Sequence, residues 1–295
     1  MVVINSQLIL EAILNGIISG SFYALVASGV SLIWGTMHMV NFAHGEFYMI
    51  GGYILFYSLT LWRLNPVLGI ILAAVIVFFL GIGIQRFLIH PMIGKPGWEH
   101  APMILTLGVS IFAQQAAMLV WGERYKSIPY FAEGTIPIGG ISVAIQRFLI
   151  LAVCSSVIVV LWIVLKRTKI GMAIRATSQN RDAAALMGIN PFTMFTLAFG
   201  LSVSLASIAG CMLAPLFLIN PWMGHGPLLK SFVVCILGGL GSVEGAILAS
   251  FLLGIFESMG VILISSEWKD ILAFIIMLII LYIRPQGLLG IKERT

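Results

Sequence analysis

The chain has 295 residues, of which 60% are hydrophobic and only 9% charged, and its mean hydropathy is +1.08. Soluble globular domains carry far more charge, and the long apolar runs exclude an outer-membrane barrel, whose strands alternate apolar and polar residues. The formal net charge of +5 indicates membrane orientation rather than nucleic-acid binding, because Lys and Arg collect in cytoplasmic loops. The composition therefore predicts an all-α, polytopic integral membrane protein.

A helix needs about 20 mainly apolar residues to cross a membrane. In chain order, the predicted spans are 8–34, one ending near 62, 66–89, 101–121, 148–165, 192–217, 228–240, 246–264 and 271–283. The piece 228–240 is short for a crossing, so the predicted helical bundle has eight or nine spans. Nine is preferred, because it places the basic loops 85–100 and 166–191 and the C-terminal tail on the cytoplasmic side.

Small side chains recur every fourth residue in two of the predicted spans. The first stripe is Gly16, Gly20, Ala24 and Ser28, and the second is Ala198, Ser202, Ala206, Gly210 and Ala214. Such stripes allow membrane helices to approach closely. Their recurrence, with the span count, predicts one transmembrane domain (1–295) with discontinuous helices, formed from inverted repeat halves 8–121 and 192–284 around a linker span 148–165.

The segment 39–53 places polar groups and glycines inside an apolar chain. It contains Asn41, His44, Gly45, Glu46, Gly51 and Gly52. Polar groups buried in hydrocarbon without partners are costly, so these must face protein or a water-lined cavity, and the glycines permit bends or close helix contacts. The three polar side chains either border a translocation path or cross-link helices.

A second glycine-rich break follows the short piece and contains Gly238, Gly239, Gly241 and Glu244. It lacks the G-K-[ST] ending of a phosphate-binding loop, so it predicts a helix break. Glu257 lies within the next span and is the best candidate for an ionisable mid-span residue. The residues predicted to border the path or to break a helix are therefore the six named in segment 39–53 together with Gly238, Gly239, Gly241, Glu244 and Glu257.

The most basic loop, 166–191, is predicted to be cytoplasmic. Its second half, 177–190, starts with capping residues and ends in Gly and Asn-Pro, which predicts one short helix. Two interpretations remain open, a helix that lies on the membrane surface and a helix that docks a soluble partner. In the second, the face of small side chains accepts the partner.

Enzymatic chemistry has little support in the sequence. His44-Gly45-Glu46 matches the H-x-E of zinc deaminases but the P-C-x-x-C segment is missing, and no hydrolase motif is present. The pattern predicts no catalytic residue, no metal and no cofactor. A polytopic bundle with broken helices favours transport, driven either by a separate ATPase or, as the alternative, by an ion-coupled secondary mechanism through Glu257.

Segments 20–25, 41–51 and 237–245 resemble those of bacterial branched-chain amino acid ABC transporter permeases of the LivH type. Urea and short-chain amide permeases share close versions of these motifs. The resemblance implies a non-catalytic, multi-pass inner-membrane subunit that pairs with a second homologous permease and two cytosolic ATPase subunits. It also implies that a periplasmic binding protein delivers leucine, isoleucine or valine.

Within the same resemblance, Asp182-Ala183-Ala184 with Gly188 matches the E-A-A-x-x-x-G core of the coupling loop of ABC permeases. Asp replaces Glu, and the usual I-x-L-P ending is missing. The resemblance therefore implies ATPase coupling through Arg175, Arg181, Asp182, Ala183, Ala184 and Gly188.

Overall fold

The computed structural model describes residues 6–95 and 100–290. Within them, the α-helices are α1 (Ser6–Met37), α2 (His44–Thr60), α3 (Pro66–Ile84), α4 (Ala101–Trp121), α5 (Ile145–Arg167), α6 (Lys169–Gln179), α7 (Arg181–Leu186), α8 (Pro191–Leu213), α9 (His225–Gly238), α10 (Val243–Leu263) and α11 (Lys269–Ile283). A π turn (Gln85–Ile89) and a 3-10 turn (His90–Met92) extend α3, and a 3-10 turn (Ser266–Trp268) precedes α11. Strands β1 (Thr135–Ile138) and β2 (Ile141–Ala144) form an antiparallel hairpin before α5.

Each of the nine predicted spans contains a helix of this bundle, and the all-α membrane fold is confirmed. In the described part of the chain, six helices are long and apolar enough to cross a membrane. They are Ser6–Met37, Pro66–Met92, Ala101–Trp121, Ile145–Arg167, Pro191–Leu213 and Val243–Leu263. Helices α2, α9 and α11 are shorter, with 17, 14 and 15 residues, so a count of eight or nine crossings stays a prediction.

Both stripes of small residues are packing faces at the centre of the bundle. A Cβ atom added to Gly20 would lie 2.7 Å from the Cα of Phe251 in α10. On the second stripe, Gly210 lies against the backbone of Tyr48 in α2. Neither approach leaves room for a side chain, so α1 and α8 form the buried centre around which the other helices pack.

The helix contacts of the two predicted halves correspond in pairs. The contact of α1 with α10 corresponds to the contact of α8 with α3. The contact of α1 with α9 corresponds to the contact of α8 with α2. The pairs α2 with α3 and α9 with α10 also correspond. Each half therefore supplies a central helix that holds the broken helix of the other half.

The predicted single helix over 177–190 has different bounds in the structure. Thr177 belongs to α6, and a second helix, α7, begins at Arg181. The reason is Asn180, whose side-chain oxygen accepts hydrogen bonds from the backbone N–H groups of Asp182 and Ala183. An Asn in this role satisfies donors at a helix start, so Asn180 ends one helix and caps the next.

Candidate functional site

Helix α2 starts inside the protein, after a non-helical stretch that follows the end of α1. The side-chain oxygen of Asn41 accepts a hydrogen bond from the N–H of Ala43 at 3.0 Å. The N–H of Phe42 donates to Thr106 Oγ1 of α4 at 3.2 Å. Asn41 thus shapes the turn that begins α2, as Asn commonly does.

His44 is fully buried at the first position of α2. Its Nε2 donates a hydrogen bond to the carbonyl oxygen of Val26 in α1 at 3.2 Å. Gly29 of the same helix lies against the imidazole ring, and the carbonyl of Gly29 accepts a hydrogen bond from Ser202 Oγ at 2.7 Å. In this conformation His44 cross-links α2 to α1.

Helices α2 and α9 begin beside each other. Gly45 lies in the first turn of α2, and Gly224 is the residue before α9. A Cβ atom on Gly45 would lie 2.5 Å from the carbonyl oxygen of Gly224. Because each of these helices starts away from the ends of its long neighbours, their N-termini meet within the bundle, and we call this point the helix junction.

A polar network connects the helix junction to α4. Glu46 Oε1 accepts hydrogen bonds from Ser110 Oγ at 3.0 Å and from Gln114 Nε2 at 2.8 Å. The same nitrogen of Gln114 donates to His225 Nε2, also at 2.8 Å. Glu46 is 2% exposed, and no donor among the described residues contacts its Oε2.

Gln114 and His225 were not among the predicted site residues, although a signal was available for Gln114. It lies within the predicted span 101–121, where an amide is as unusual as the polar groups of segment 39–53, whereas His225 lies in the Gly- and Pro-containing connection before 228–240. Gln115 and Gly226, the sequence neighbours of Gln114 and His225, are exposed, as is His225 itself. Polar groups in contact with hydrocarbon are costly because they lack hydrogen-bond partners.

Gly51 and Gly52, predicted as bend or packing positions, serve in packing. A Cβ atom on Gly51 would lie 2.5 Å from the carbonyl oxygen of Ser207 in α8. Gly52 faces the side chain of Met223, just before the helix junction. Helix α2 remains helical through both residues, so they set its distance from α8.

The second predicted break separates α9 from α10 and contains two residues in a left-handed conformation. Gly239 has φ +100° and Gly241 has φ +83°, values that favour glycine. Gly241 lies against the backbone of Gly35 near the end of α1, and Gly238 packs against Gly245 at the start of α10. The break therefore holds three helix ends together.

Glu244 lies at this end of the bundle rather than at the helix junction. Its carboxylate forms an ion pair with Lys166 at 2.9 Å, and both side chains are partly exposed. The pair borders a small cleft of about 120 Å³ that Arg175 and Ser178 of α6 also line. Ser178 donates a hydrogen bond to the carbonyl of Gly35, which connects α6 to the end of α1.

Glu257 is fully buried and belongs to a separate ionic cluster that extends to the surface. Its carboxylate accepts a hydrogen bond from the Tyr23 hydroxyl at 2.8 Å and forms ion pairs with Lys230 and Lys269. Lys230 also pairs with Asp270 at 2.9 Å. A buried charge needs such partners, and the cluster connects α1, α9, α10 and α11.

The predicted coupling residues divide into exposed and buried groups. Arg181, Asp182, Ala183 and Gly188 are exposed, whereas Ala184 is buried against its own chain and is not free to contact a partner. Leu186 and Met187, which the sequence analysis did not select, are 89% and 83% exposed. They are large apolar side chains on the surface of a basic segment.

No three His, Cys, Asp or Glu side chains of the described ranges group as a metal site. Cys154, Cys211 and Cys235 are free and buried. The polar groups that the structure brings together are therefore hydrogen-bonding and ionic ones.

Residues 12–281 match the family described as branched-chain amino acid transport system / permease component. The chain is 35% identical to the high-affinity branched-chain amino acid transport system permease protein BraD of Pseudomonas aeruginosa, and 32% identical to LivH of Escherichia coli K12. Each alignment covers 96% of both chains.

A solved structure, PsaBC from Streptococcus pneumoniae in complex with Fab, is similar with a TM-score of 0.54. The match covers 94% of this chain and 92% of that chain, at 13% identity. At this identity the likeness concerns the fold alone.

Proposed function

The chain belongs to the family of branched-chain amino acid transport permeases, and we propose that it is the membrane-spanning subunit of an ATP-driven importer for leucine, isoleucine and valine. One observation carries the proposal: the likeness to high-affinity branched-chain amino acid permease proteins extends over 96% of the chain and of those relatives. The helices, breaks and loops are all included in that length.

The helix junction is the proposed centre of the translocation path. Helices α2 and α9 start there, and unsatisfied N–H groups and the helix dipole make such starts slightly positive. Broken helices of this kind surround substrate sites in transporters with repeated halves. The correspondence of helix contacts between the halves supports an inverted repeat of 8–121 and 192–284 whose axis passes near Gly45 and Gly224.

The exposed face with Gln115, His225 and Gly226 is proposed to border the path, opposite a second homologous permease subunit. A polar mid-span face is costly against lipid, whereas a second subunit and water between them satisfy it. Substrate then passes the helix junction as the two subunits rock against each other, and this chain carries out no covalent chemistry itself.

Two cytosolic ATPase subunits are proposed to contact the coupling segment 166–191. Its exposed residues Leu186 and Met187 offer apolar area, and Arg181 and Asp182 offer charge around it. Movement of α6 reaches the bundle through the Ser178 contact with Gly35 and the Lys166 pair with Glu244. A periplasmic binding protein delivers the substrate on the opposite side of the inner membrane.

The proposal is tested by reconstitution. The chain is placed in proteoliposomes with the proposed partner permease, the two ATPases and the binding protein, and uptake of radiolabelled leucine is measured with and without ATP. We expect ATP-dependent uptake that unlabelled leucine inhibits and urea or acetamide does not. Leucine accumulation by the chain alone, or inhibition by urea in place of leucine, would refute the proposal.

A further inference from the structure

A cavity of about 220 Å³ lies between α2, α3 and α4, beside the helix junction; it is partly open at the outer surface of the bundle, where Phe112 and Val120 are 74% and 72% exposed. Its walls are apolar side chains from all three helices, including Ile50, Leu80, Ile84, Val109 and Phe112. Among the described residues, Glu46 is the one ionisable residue that lines it. A water molecule takes up about 30 Å³ in the liquid. The cavity is several times larger, so it has room for a branched side chain of four carbon atoms.

The carboxylate at this cavity is incompletely satisfied. Oε1 of Glu46 already accepts two hydrogen bonds from α4, whereas Oε2 is buried without a donor from the described residues. A carboxylate presents about four acceptor sites, and a buried charge without a partner is strongly unfavourable. The group that best completes it is a cation with several N–H donors, such as a primary ammonium.

Helix α4 is tied to this site and has few other attachments. Three side chains of α4 make four hydrogen bonds to other described segments. Thr106 Oγ1 accepts one from the N–H of Phe42, Ser110 and Gln114 each donate one to Glu46, and Gln114 also donates one to His225. Most of the outer surface of α4 is exposed. An incoming ammonium would compete with Ser110 and Gln114 for the same carboxylate, and this competition would loosen α4 and uncover Oε2.

We infer that Glu46 binds the ammonium group of an aliphatic amino acid, and that the cavity between α2, α3 and α4 receives its branched side chain. The inference rests on the proposed function for the identity of the substrate. It adds a selective site within the permease itself, where an apolar pocket and one carboxylate recognise the two features that leucine, isoleucine and valine share.

The test uses the complete transporter without binding protein, in nanodiscs, and measures binding of leucine and of 3-methylbutylamine by isothermal titration calorimetry. The amine carries the ammonium and the branched chain but no carboxylate; 3-methylbutanol lacks the charge. We expect the amine to bind and the alcohol not to bind. E46Q keeps an acceptor oxygen for Ser110 and Gln114 but should weaken amine and leucine binding at least about tenfold, since a charge-assisted hydrogen bond is lost.

Three further variants locate the site. Ala116 lines the cavity, so Ala116→Phe should fill it and weaken leucine binding about tenfold or more, whereas Ala116→Gly should not. Glu133→Gln removes an exposed carboxylate from the outer loop and should leave binding unchanged. Thermal unfolding of each variant shows whether the bundle is intact, and if E46Q is unstable, Ala116→Phe alone decides.

Equal binding of amine and alcohol, or unchanged binding by both E46Q and Ala116→Phe, would overturn the inference. A lipid bound in the cavity would also overturn the inference. Native mass spectrometry would then find a lipid that the transporter retains, that Ala116→Phe loses and that the amine does not displace. ATP-dependent leucine uptake measured beside these experiments separates the two proposals. Uptake without cavity binding refutes only this inference, and absence of uptake by the wild type refutes the proposed function.

Discussion

Gly45 and Gly224 lie in backbone contact where α2 and α9 begin, so closely that a Cβ atom on Gly45 would be 2.5 Å from the carbonyl oxygen of Gly224. Real carbon and oxygen atoms do not approach so closely without displacement of the backbone. The two helices can start in backbone contact because neither glycine has a side chain. The same contact positions the polar groups around it.

Replacement of Gly45 by Ala should separate the helix starts. We expect a loss of about 1–3 kcal/mol in stability, because overpacking of a tight contact forces the backbone to shift, together with slower leucine uptake. Thermal unfolding of the purified transporter measures the first effect. Gly226→Ala is the matched control, since no atom lies within 4 Å of its added Cβ, and equal melting temperatures for the two variants would contradict the prediction.

Cysteines introduced at Gln115 and His225 should react with water-soluble thiol reagents. These positions are exposed on the face proposed to border the path, whereas the native cysteines are buried. A cysteine at Phe79, which is 64% exposed on the apolar α3, serves as the lipid-facing control and should react at least about tenfold more slowly, because thiolate formation requires water. Similar rates at all three positions would mean that the face borders lipid.

Glu257→Gln should destabilise the bundle by about 3 kcal/mol. It leaves the largely buried Lys230 with only Asp270 as an ionic partner, and removal of one member of a buried pair leaves an uncompensated charge. The matched variant Asp270→Asn removes a 73% exposed carboxylate and should cost less than about 1 kcal/mol. The melting temperatures of both variants test this, and a larger loss for Asp270→Asn would show that the buried carboxylate is not the centre of the cluster.

Leu186→Glu should uncouple ATP hydrolysis from uptake without affecting the fold. The side chain is 89% exposed, so its change alters a surface and no packing contact within the chain. We expect normal expression and melting temperature, with leucine uptake in proteoliposomes reduced at least about tenfold. Leu186→Met keeps the apolar surface and should transport normally. Full uptake by Leu186→Glu would exclude this part of α7 from the ATPase contact.

Asn180→Ala should fray α7. The Asn180 side chain accepts two hydrogen bonds at the start of a helix of six residues, and loss of such a cap costs about 1 kcal/mol. Amide hydrogen exchange over residues 181–188 should become faster, while exchange in α6 should change little. Asn180→Asp restores the acceptor and should restore protection; protection that is unchanged in Asn180→Ala would contradict the capping role.

The sequence by itself determined the membrane fold, the position of the nine apolar segments and the packing stripes, because each follows from hydrophobicity or from side-chain size repeated along one helix. It also identified the helix break within 39–53 and the basic segment 166–191, since glycines and charges are conspicuous in an apolar chain. These features depend on residues that are neighbours in the sequence or one helical turn apart.

Only the tertiary structure decided which polar groups meet. Glu46 faces Gln114 and, through it, His225, and Glu257 faces Lys230 and Tyr23. These partners lie 27 to 234 residues apart, and no periodicity within one helix can specify a contact between helices so distant in sequence. The exposed Leu186 and buried Ala184 were likewise decided by how α7 packs on the bundle, because burial depends on neighbours that the local sequence does not contain.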